Sequence, residues 1–170
     1  SLYHWADNEL QNLSTYKDFF NLIATLTDYE GSLHNNTSLP KKYAKSWQME
    51  SHGYFPYPIK WIDGHWLVNY KYGTIPLGAE ITEINNRPIS EVILSLHPYF
   101  TTDGINTTGK RIGISSAFSY YYRYHYGLTD TFEIAFKAPD SNRIETVTLA
   151  STSFIDYYKK YKKRHSYSFD

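Results

Sequence analysis

The chain has 170 residues, of which 41% are hydrophobic and 20% are charged, so its composition is that of a folded globular protein. Seventeen basic residues balance seventeen acidic ones, and no nucleic-acid partner is expected because no overall field favours one. The sequence contains no cysteine and no apolar run as long as a membrane span. Disulfides, thiolate metal sites and a membrane-spanning segment are therefore not expected.

Helical patterns occupy the first third of the chain. Apolar residues recur at helical spacing in three segments, each bounded by a capping residue, a proline or a glycine. The predicted helices cover residues 2–13, residues 15–29 with Ser14 as the N-cap, and residues 40–51. We therefore expect a helical N-terminal region over residues 1–53.

After residue 53 the pattern changes to short strands separated by turns and two helices. The pair Asp63-Gly64 lies between aromatic strands, which predicts a β-hairpin. One helix is predicted to begin at a Ser90 cap, and another to begin at Ser115 or Ser116 and end at Gly127. The predicted strands cover residues 57–61, 65–70, 79–84, 131–137 and 145–149, and residues 101–109 are expected to form a loop.

This order of elements predicts the α+β fold class. The expected domains are the helical region at residues 1–53, a mixed domain at residues 54–152, and a helix and linker at residues 153–170. The segment at residues 98–127 carries five tyrosines in its second half. We expect it to cover a binding groove or to pack on a further domain.

The most informative segment runs from Ile75 to Ile89. Gly78 permits a tight entry into a strand, Asn85-Asn86 tolerate a left-handed turn, and Pro88 fixes the exit before a helix. Together with the upstream hairpin and the downstream strand pair, this segment resembles the PDZ domain of C-terminal processing (tail-specific) serine peptidases, particularly exported members from Bacteroides-like bacteria. Asn86 stands where that family usually has glycine.

The resemblance implies a PDZ-like domain, built as a small β-sheet or partly open barrel with inserted helices. It also implies a serine nucleophile and a lysine general base on a separate catalytic core. The letters Ser14-Thr15-Tyr16-Lys17 match Ser-x-x-Lys, but they lie where a helix cap is expected. We therefore expect no catalytic residue in this chain, whereas the parent protein is expected to be a serine endopeptidase.

A PDZ domain binds a peptide as an extra strand on an open sheet edge, and backbone amides hold the terminal carboxylate. The resemblance places the carboxylate loop at residues 55–57 and the receiving strand at residues 58–61, opposite the Ser90 helix. Pro58 has no N–H and removes one donor from that strand. The expected peptide-binding residues are Phe55, Tyr57, Ile59, Trp61 and Val92. Ordinary core packing is the alternative role for the residues on the strand.

These expectations combine into a non-catalytic recognition and regulatory portion of a secreted serine peptidase. Its expected partners are peptide or protein C-termini and its own catalytic domain. The histidines are scattered and no acidic cluster has metal-ligand spacing, so no metal and no cofactor are expected. The resemblance implies a periplasmic, outer-membrane-anchored or extracellular location. The alternative function is a stand-alone surface module that binds protein or carbohydrate through exposed Tyr and Trp.

Overall fold

The computed structural model describes residues 1–104 and 106–164 and has the predicted α+β architecture, with helices first and an antiparallel sheet with inserted helices after them. The helices are α1 (Leu2–Gln11), α2 (Tyr16–Tyr29), α3 (Lys41–Met49), α4 (Ile89–Leu96), α5 (Thr107–Tyr126) and α6 (Phe154–Lys162). The strands are β1 (Ile59–Ile62), β2 (His65–Val68), β3 (Glu80–Ile84), β4 (Arg87–Pro88), β5 (Thr131–Lys137) and β6 (Ile144–Ala150). A short 3₁₀ helix, His97–Tyr99, follows α4.

The strands form one open antiparallel sheet in the order β1-β2-β3-β5-β6, with β4 paired to β3. Asp63 and Gly64 have φ values of 47° and 91°, and they close the predicted β1–β2 hairpin between Ile62 and His65. Positive φ values at Asn85 and Asn86 likewise form the predicted turn after β3. Because β1 and β6 end the sheet, each pairs with one neighbouring strand among the described residues.

The core lies between the sheet and the helices α4 and α5. Its centre is an aromatic cluster in which the ring of Phe55 lies 5.1 Å from that of Phe118 and 5.2 Å from that of Phe132. The ring of Tyr122 lies 5.3 Å from that of Phe132. All four rings are buried, and their near-perpendicular or tilted contacts are those that aromatic side chains prefer. Tyr54 and Thr152 exchange two backbone hydrogen bonds, which join the start of this region to its end. The expected domain boundaries at residues 53 and 152 stay a prediction.

Two predicted helix caps are wrong. Helix α2 is capped by Thr15, whose hydroxyl accepts a hydrogen bond from the Asp18 N–H in a capping box, and Ser14 instead donates to the Asp18 carboxylate. Helix α4 begins at Ile89, one residue before Ser90, and Pro88 precedes it without any side-chain cap. The fixed φ of Pro88 starts this helix without a hydroxyl cap.

The predicted start of α5 is also wrong, because the helix begins eight or nine residues before Ser115 or Ser116. Asn106 caps it by accepting a hydrogen bond of 2.9 Å from the Gly109 N–H. Gly113 is required inside this first half, since a Cβ there would lie 2.3 Å from the Phe100 ring. Ala117 has the non-helical dihedrals φ −140° and ψ 27°, which kink the helix, and the predicted helix corresponds to the half after this kink.

The N-terminal helices pack on the face of α5 that points away from the sheet. The ring centroid of Tyr124 of α5 lies 5.3 Å from that of Phe20, in an edge-to-face contact, and 5.7 Å from that of Trp47. The Lys17 amine also donates a hydrogen bond of 3.1 Å to the carbonyl of His125. Helix α5 therefore lies between the helical region and the sheet and contacts both.

Lys110 anchors the first half of α5. Its side chain is only 9% exposed, and its amine pairs with the Asp28 carboxylate of α2. The same amine donates hydrogen bonds of 2.9 Å to the carbonyl of His97 and 3.1 Å to that of Phe100. One buried cation thus ties together α2, α5 and the segment that follows α4.

Replacing Lys110 with Met should lower the free energy of unfolding by about 3 kcal/mol, because the Asp28 carboxylate and two carbonyls lose their donor. Urea denaturation followed by tryptophan fluorescence measures this change. The matched control is Lys159→Met, which removes an amine that is 68% exposed and pairs with Asp156 within one helix turn. That change should cost less than about 0.5 kcal/mol. Equal effects of the two substitutions would show that Lys110 does not anchor the helix.

Candidate peptide-binding groove

The structure places the five expected peptide-binding residues in two different environments. Phe55, Tyr57, Ile59 and Val92 belong to the buried core, where their side chains contact other core residues rather than solvent. Trp61 is half-buried at the rim of the core and lines surface grooves on both of its sides. Peptide binding through these residues stays a prediction, and Trp61 is the one of the five that a ligand reaches in this conformation.

The expected carboxylate loop at residues 55–57 lies under α5 and α6. The carbonyl of Phe55 accepts a hydrogen bond of 3.1 Å from the Ser119 hydroxyl of α5. The carbonyl of Pro56 accepts one of 3.2 Å from the Lys160 amine of α6, and burial lowers the pKa of that amine. Two of the three loop carbonyls are thus already bonded to covering helices. A ligand would reach this loop only if one of those helices moved.

A groove of about 310 Å³ separates the β1–β2 hairpin from α4 and the start of α5. We call it the hairpin groove. Its walls are largely apolar: Trp61 and Trp66 form one side, with ring centroids 5.3 Å apart, and Ile89 and Ile93 form the other. A groove of this size, with apolar walls and several polar side chains around them, suits a short peptide segment or a small ligand.

A second groove of about 240 Å³, the edge groove, lies between β1 and the first half of α5. Its lining residues are Lys60, Trp61, Thr108, Arg111, Ile112 and Ser115. Trp61 and Arg111 line both grooves, and the Arg111 guanidinium lies 4.4 Å from the centroid of the Trp61 ring. The two grooves therefore meet at one cation–π contact.

The main chain of β1 offers hydrogen-bonding groups to the edge groove. The Asn69 N–H donates a hydrogen bond of 2.8 Å to the Pro58 carbonyl, so the main-chain groups of Pro58 point toward the β2 side. Because hydrogen-bonded residues alternate along an antiparallel strand, Ile59 and Trp61 direct their N–H and C=O groups away from β2. The missing N–H of Pro58 is on the β2 side. It leaves the outer edge of the strand intact, contrary to the expectation that it removes a donor for a ligand.

The charges at the hairpin groove are unequally compensated. Glu80 accepts a hydrogen bond from His65 at 2.8 Å and lies 3.5 Å from the Lys137 amine, and these contacts lower its pKa. Burial and the nearby Lys110 charge lower the pKa of His97, which favours the neutral imidazole. Arg111 forms no ion pair with a carboxylate of the described residues.

Sequence reasoning missed Arg111. It lies just after the residues that were expected to form a loop, and no local pattern distinguishes it from other surface arginines. The predicted helix began at Ser115 or Ser116, which left Arg111 outside it. Arg111 becomes a candidate binding residue only once α5 is known to begin at Thr107.

A larger cavity of about 630 Å³, the tyrosine cavity, lies where α5 kinks at Ala117. It is lined by the loop before α3, by the segment after the 3₁₀ helix and by Tyr120, Tyr121 and Tyr124 of α5. None of its lining residues carries a formal charge, and burial raises the pKa of Tyr121 and Tyr124. The cavity therefore presents neutral hydroxyls and aromatic faces.

Tyr99 connects this cavity to the packing of α2. Its hydroxyl donates a hydrogen bond of 2.5 Å to the Asn21 side-chain oxygen and lies 3.1 Å from the His125 Nδ1 atom. Burial lowers the pKa of His125 to about 4, and the charges of Lys17 and Arg87 act in the same direction. A neutral imidazole is thus part of the contact between the helical region and α5.

Ser51, His52 and Asp130 form a hydrogen-bonded chain that resembles a catalytic triad only in composition. The Ser51 hydroxyl lies 3.2 Å from His52 Nδ1, and His52 Nε2 lies 3.0 Å from the Asp130 carboxylate. A serine hydrolase uses the two imidazole nitrogens in the opposite order, with a buried carboxylate. Here the Asp130 side chain is 83% exposed, and none of the three residues lines the grooves or cavity described above. We assign no catalytic role to these three residues.

Among residues 1–104 and 106–164, every helix is too short or too polar to cross a membrane. In the same ranges, no group of three or more His, Asp or Glu side chains is arranged to hold a metal ion.

The fold resembles part of a solved serine protease. No protein-family model matches the sequence, and no curated protein matches it. A crystal structure of a point mutant of the chlamydial serine protease CPAF matches with a TM-score of 0.61 at 14% identity, over 88% of this chain and 27% of that one. A structure of mature CPAF gives a TM-score of 0.48 at 13% identity, over 88% and 28%. The chain thus spans about a quarter of each CPAF chain, and at this identity the first match shows a shared fold alone.

Acidification should destabilise the protein partly through His125. The unfolded chain binds a proton at this residue below about pH 6.5, and the folded chain binds it only below about pH 4. Stability therefore falls as pH is lowered through this window, and His125 contributes a loss on the order of 2 kcal/mol between about pH 7 and about pH 4.5.

Urea denaturation at both pH values measures this loss for the wild type, for His125→Phe and for the control His34→Phe, which changes an exposed loop residue. The His125 variant should lose less stability on acidification than the wild type. The control should follow the wild type. An unchanged pH dependence in the His125 variant would contradict the assignment.

Proposed function

We propose that this chain is the non-catalytic, PDZ-like recognition and regulatory portion of an exported serine peptidase of the C-terminal processing family. The observation that carries the proposal is the outer edge of β1, where the main-chain groups of Ile59 and Trp61 point away from β2 and Trp61 lines the edge groove. The likeness in fold to part of a serine protease supports it. In this proposal the chain binds a peptide, and a separate domain cleaves it.

In this proposal, the peptide binds as an added strand at the outer edge of β1. The outward N–H and C=O groups of β1 supply the main-chain hydrogen bonds, and the hairpin groove receives a side chain. The two grooves are small, about 310 Å³ and 240 Å³, because the first half of α5 stands across the edge. The site therefore suits the last residues of a peptide better than a long extended strand.

The proposed partners follow from the separation of peptide binding, by this chain, from peptide cleavage, by another domain. Peptide or protein C-termini are the ligands of the groove, and the catalytic domain of the same peptidase is the second partner. The family resemblance of the segment from Ile75 to Ile89 supports a periplasmic, outer-membrane-anchored or extracellular location. No step of the cleavage reaction is assigned to residues of this chain.

Replacing Trp61 with Ala should weaken peptide binding at least about tenfold, because the indole forms a wall of both grooves and its burial by ligand contributes roughly 1.5–3 kcal/mol. Fluorescence anisotropy of labelled octapeptides with random apolar C-terminal residues measures the affinity. The matched control is Trp5→Ala, which removes a half-exposed indole of α1 far from the grooves in sequence and outside their lining. Equal affinities for both variants would contradict binding in these grooves.

The tyrosine cavity favours a second candidate function, carbohydrate binding by a surface module. Its aromatic faces and neutral hydroxyls match a sugar ring, which has apolar C–H faces and many hydroxyls. Tyr121 lines this cavity, and burial raises the pKa of its hydroxyl, so the group stays neutral. The stacked ring of Tyr99, 6.0 Å away, holds Tyr121 in place.

In this second candidate, Tyr121→Phe should weaken binding of neutral disaccharides about fivefold, because one hydrogen bond is lost while the ring is kept. Saturation-transfer NMR with maltose and cellobiose measures the binding. Tyr158→Phe on α6 is the control for loss of a hydroxyl outside the cavity. No saturation transfer to either sugar, or equal transfer to the anionic glucuronate, would exclude a neutral-sugar site.

A further inference from the structure

Arg111 occupies the point where the hairpin groove and the edge groove meet. Its guanidinium lies 4.4 Å from the centroid of the Trp61 ring and lines both grooves. A guanidinium above an aromatic ring is attracted by the ring face and still carries several N–H groups that can donate to another ligand. The side chain is therefore held at the groove with donors available to a ligand.

The charges around Arg111 leave it without an anionic partner among the described residues. Glu80, the carboxylate of the hairpin groove, is bonded to His65 at 2.8 Å and lies 3.5 Å from the Lys137 amine. The edge groove contains a second cation, Lys60, and no carboxylate among its lining residues. An anion that entered either groove would therefore meet positive charge that no described carboxylate compensates.

The expected receptor for a peptide carboxylate, the backbone amides of residues 55–57, is not accessible. The segment is buried under α5 and α6, which donate hydrogen bonds to the carbonyls of Phe55 and Pro56, and Pro56 has no N–H to donate. A peptide lying along β1 with its end in the grooves would instead bring its terminal carboxylate close to α5. Arg111 lies there, next to the outward main-chain groups of Trp61.

We propose that Arg111, rather than the backbone at residues 55–57, binds the terminal carboxylate of the peptide. This inference rests on the proposed peptide-binding function and adds the group that distinguishes a free C-terminus from an internal segment. The planar guanidinium donates two parallel N–H···O bonds to the carboxylate, a geometry that a lysine amine does not provide. The apolar walls of the grooves exclude part of the surrounding water and strengthen the pair.

The test uses fluorescein-labelled octapeptides whose last three positions are drawn from Ala, Val and Leu, each made as the free acid and as the C-terminal amide. Anisotropy titrations compare the wild type with Arg111→Gln and Arg111→Lys. The control is Arg87→Gln, because Arg87 also stacks on an aromatic ring, Tyr126 at 5.0 Å, but lines neither groove. The amide serves as an internal control for damage to the fold, since it needs no cation.

The wild type should bind the acid about tenfold more tightly than the amide. Arg111→Gln should remove that preference for the acid and leave the affinity for the amide unchanged. Arg111→Lys should retain part of the preference, and Arg87→Gln should retain all of it. If the wild type binds acid and amide equally, the carboxylate role of Arg111 is overturned while peptide binding stands. If the wild type binds neither, the proposed function itself fails. A preference that survives in Arg111→Gln would assign the carboxylate to another group.

Discussion

The burial of α5 on two opposite faces is the constraint on which the rest of the structure depends. Phe118 and Tyr122 of this helix pack into the aromatic centre of the core, and Tyr124 packs against Trp47 of the helical region. A helix with aromatic residues on several sides is stable only when neighbours cover those sides. The sheet and the N-terminal helices therefore hold α5 between them, and its position sets that of Arg111.

The same helix shapes the candidate site. A domain that adds a peptide strand needs an open edge, and the first half of α5 stands across the edge of β1, anchored by Lys110. The result is two small grooves that meet at Trp61 and Arg111. These grooves are the surface that we propose for peptide binding. Their small size is the reason that the proposed ligand is a short terminal segment and not a long strand.

Much of the sheet was predictable because its signals are local. The Asp63-Gly64 hairpin and the Asn85-Asn86 turn follow from residues that tolerate positive φ, and β5 has the predicted bounds. The start of α5 was not predictable, since threonine and glycine are weak helix formers. What stabilises its first half is distant in sequence: Asp28 pairs with Lys110, and the Phe100 ring requires Gly113.

The sequence by itself determined the fold class, the hairpin and turns, and the presence of Trp61 on the first strand. The sequence left two roles open for Tyr57, Ile59 and Trp61, peptide binding or core packing. Only the tertiary structure decided that two of them are buried and the third borders a groove. It also brought Arg111 next to Trp61. The physical reason is that turn geometry depends on neighbouring residues, whereas burial and charge compensation depend on which distant elements cover a face.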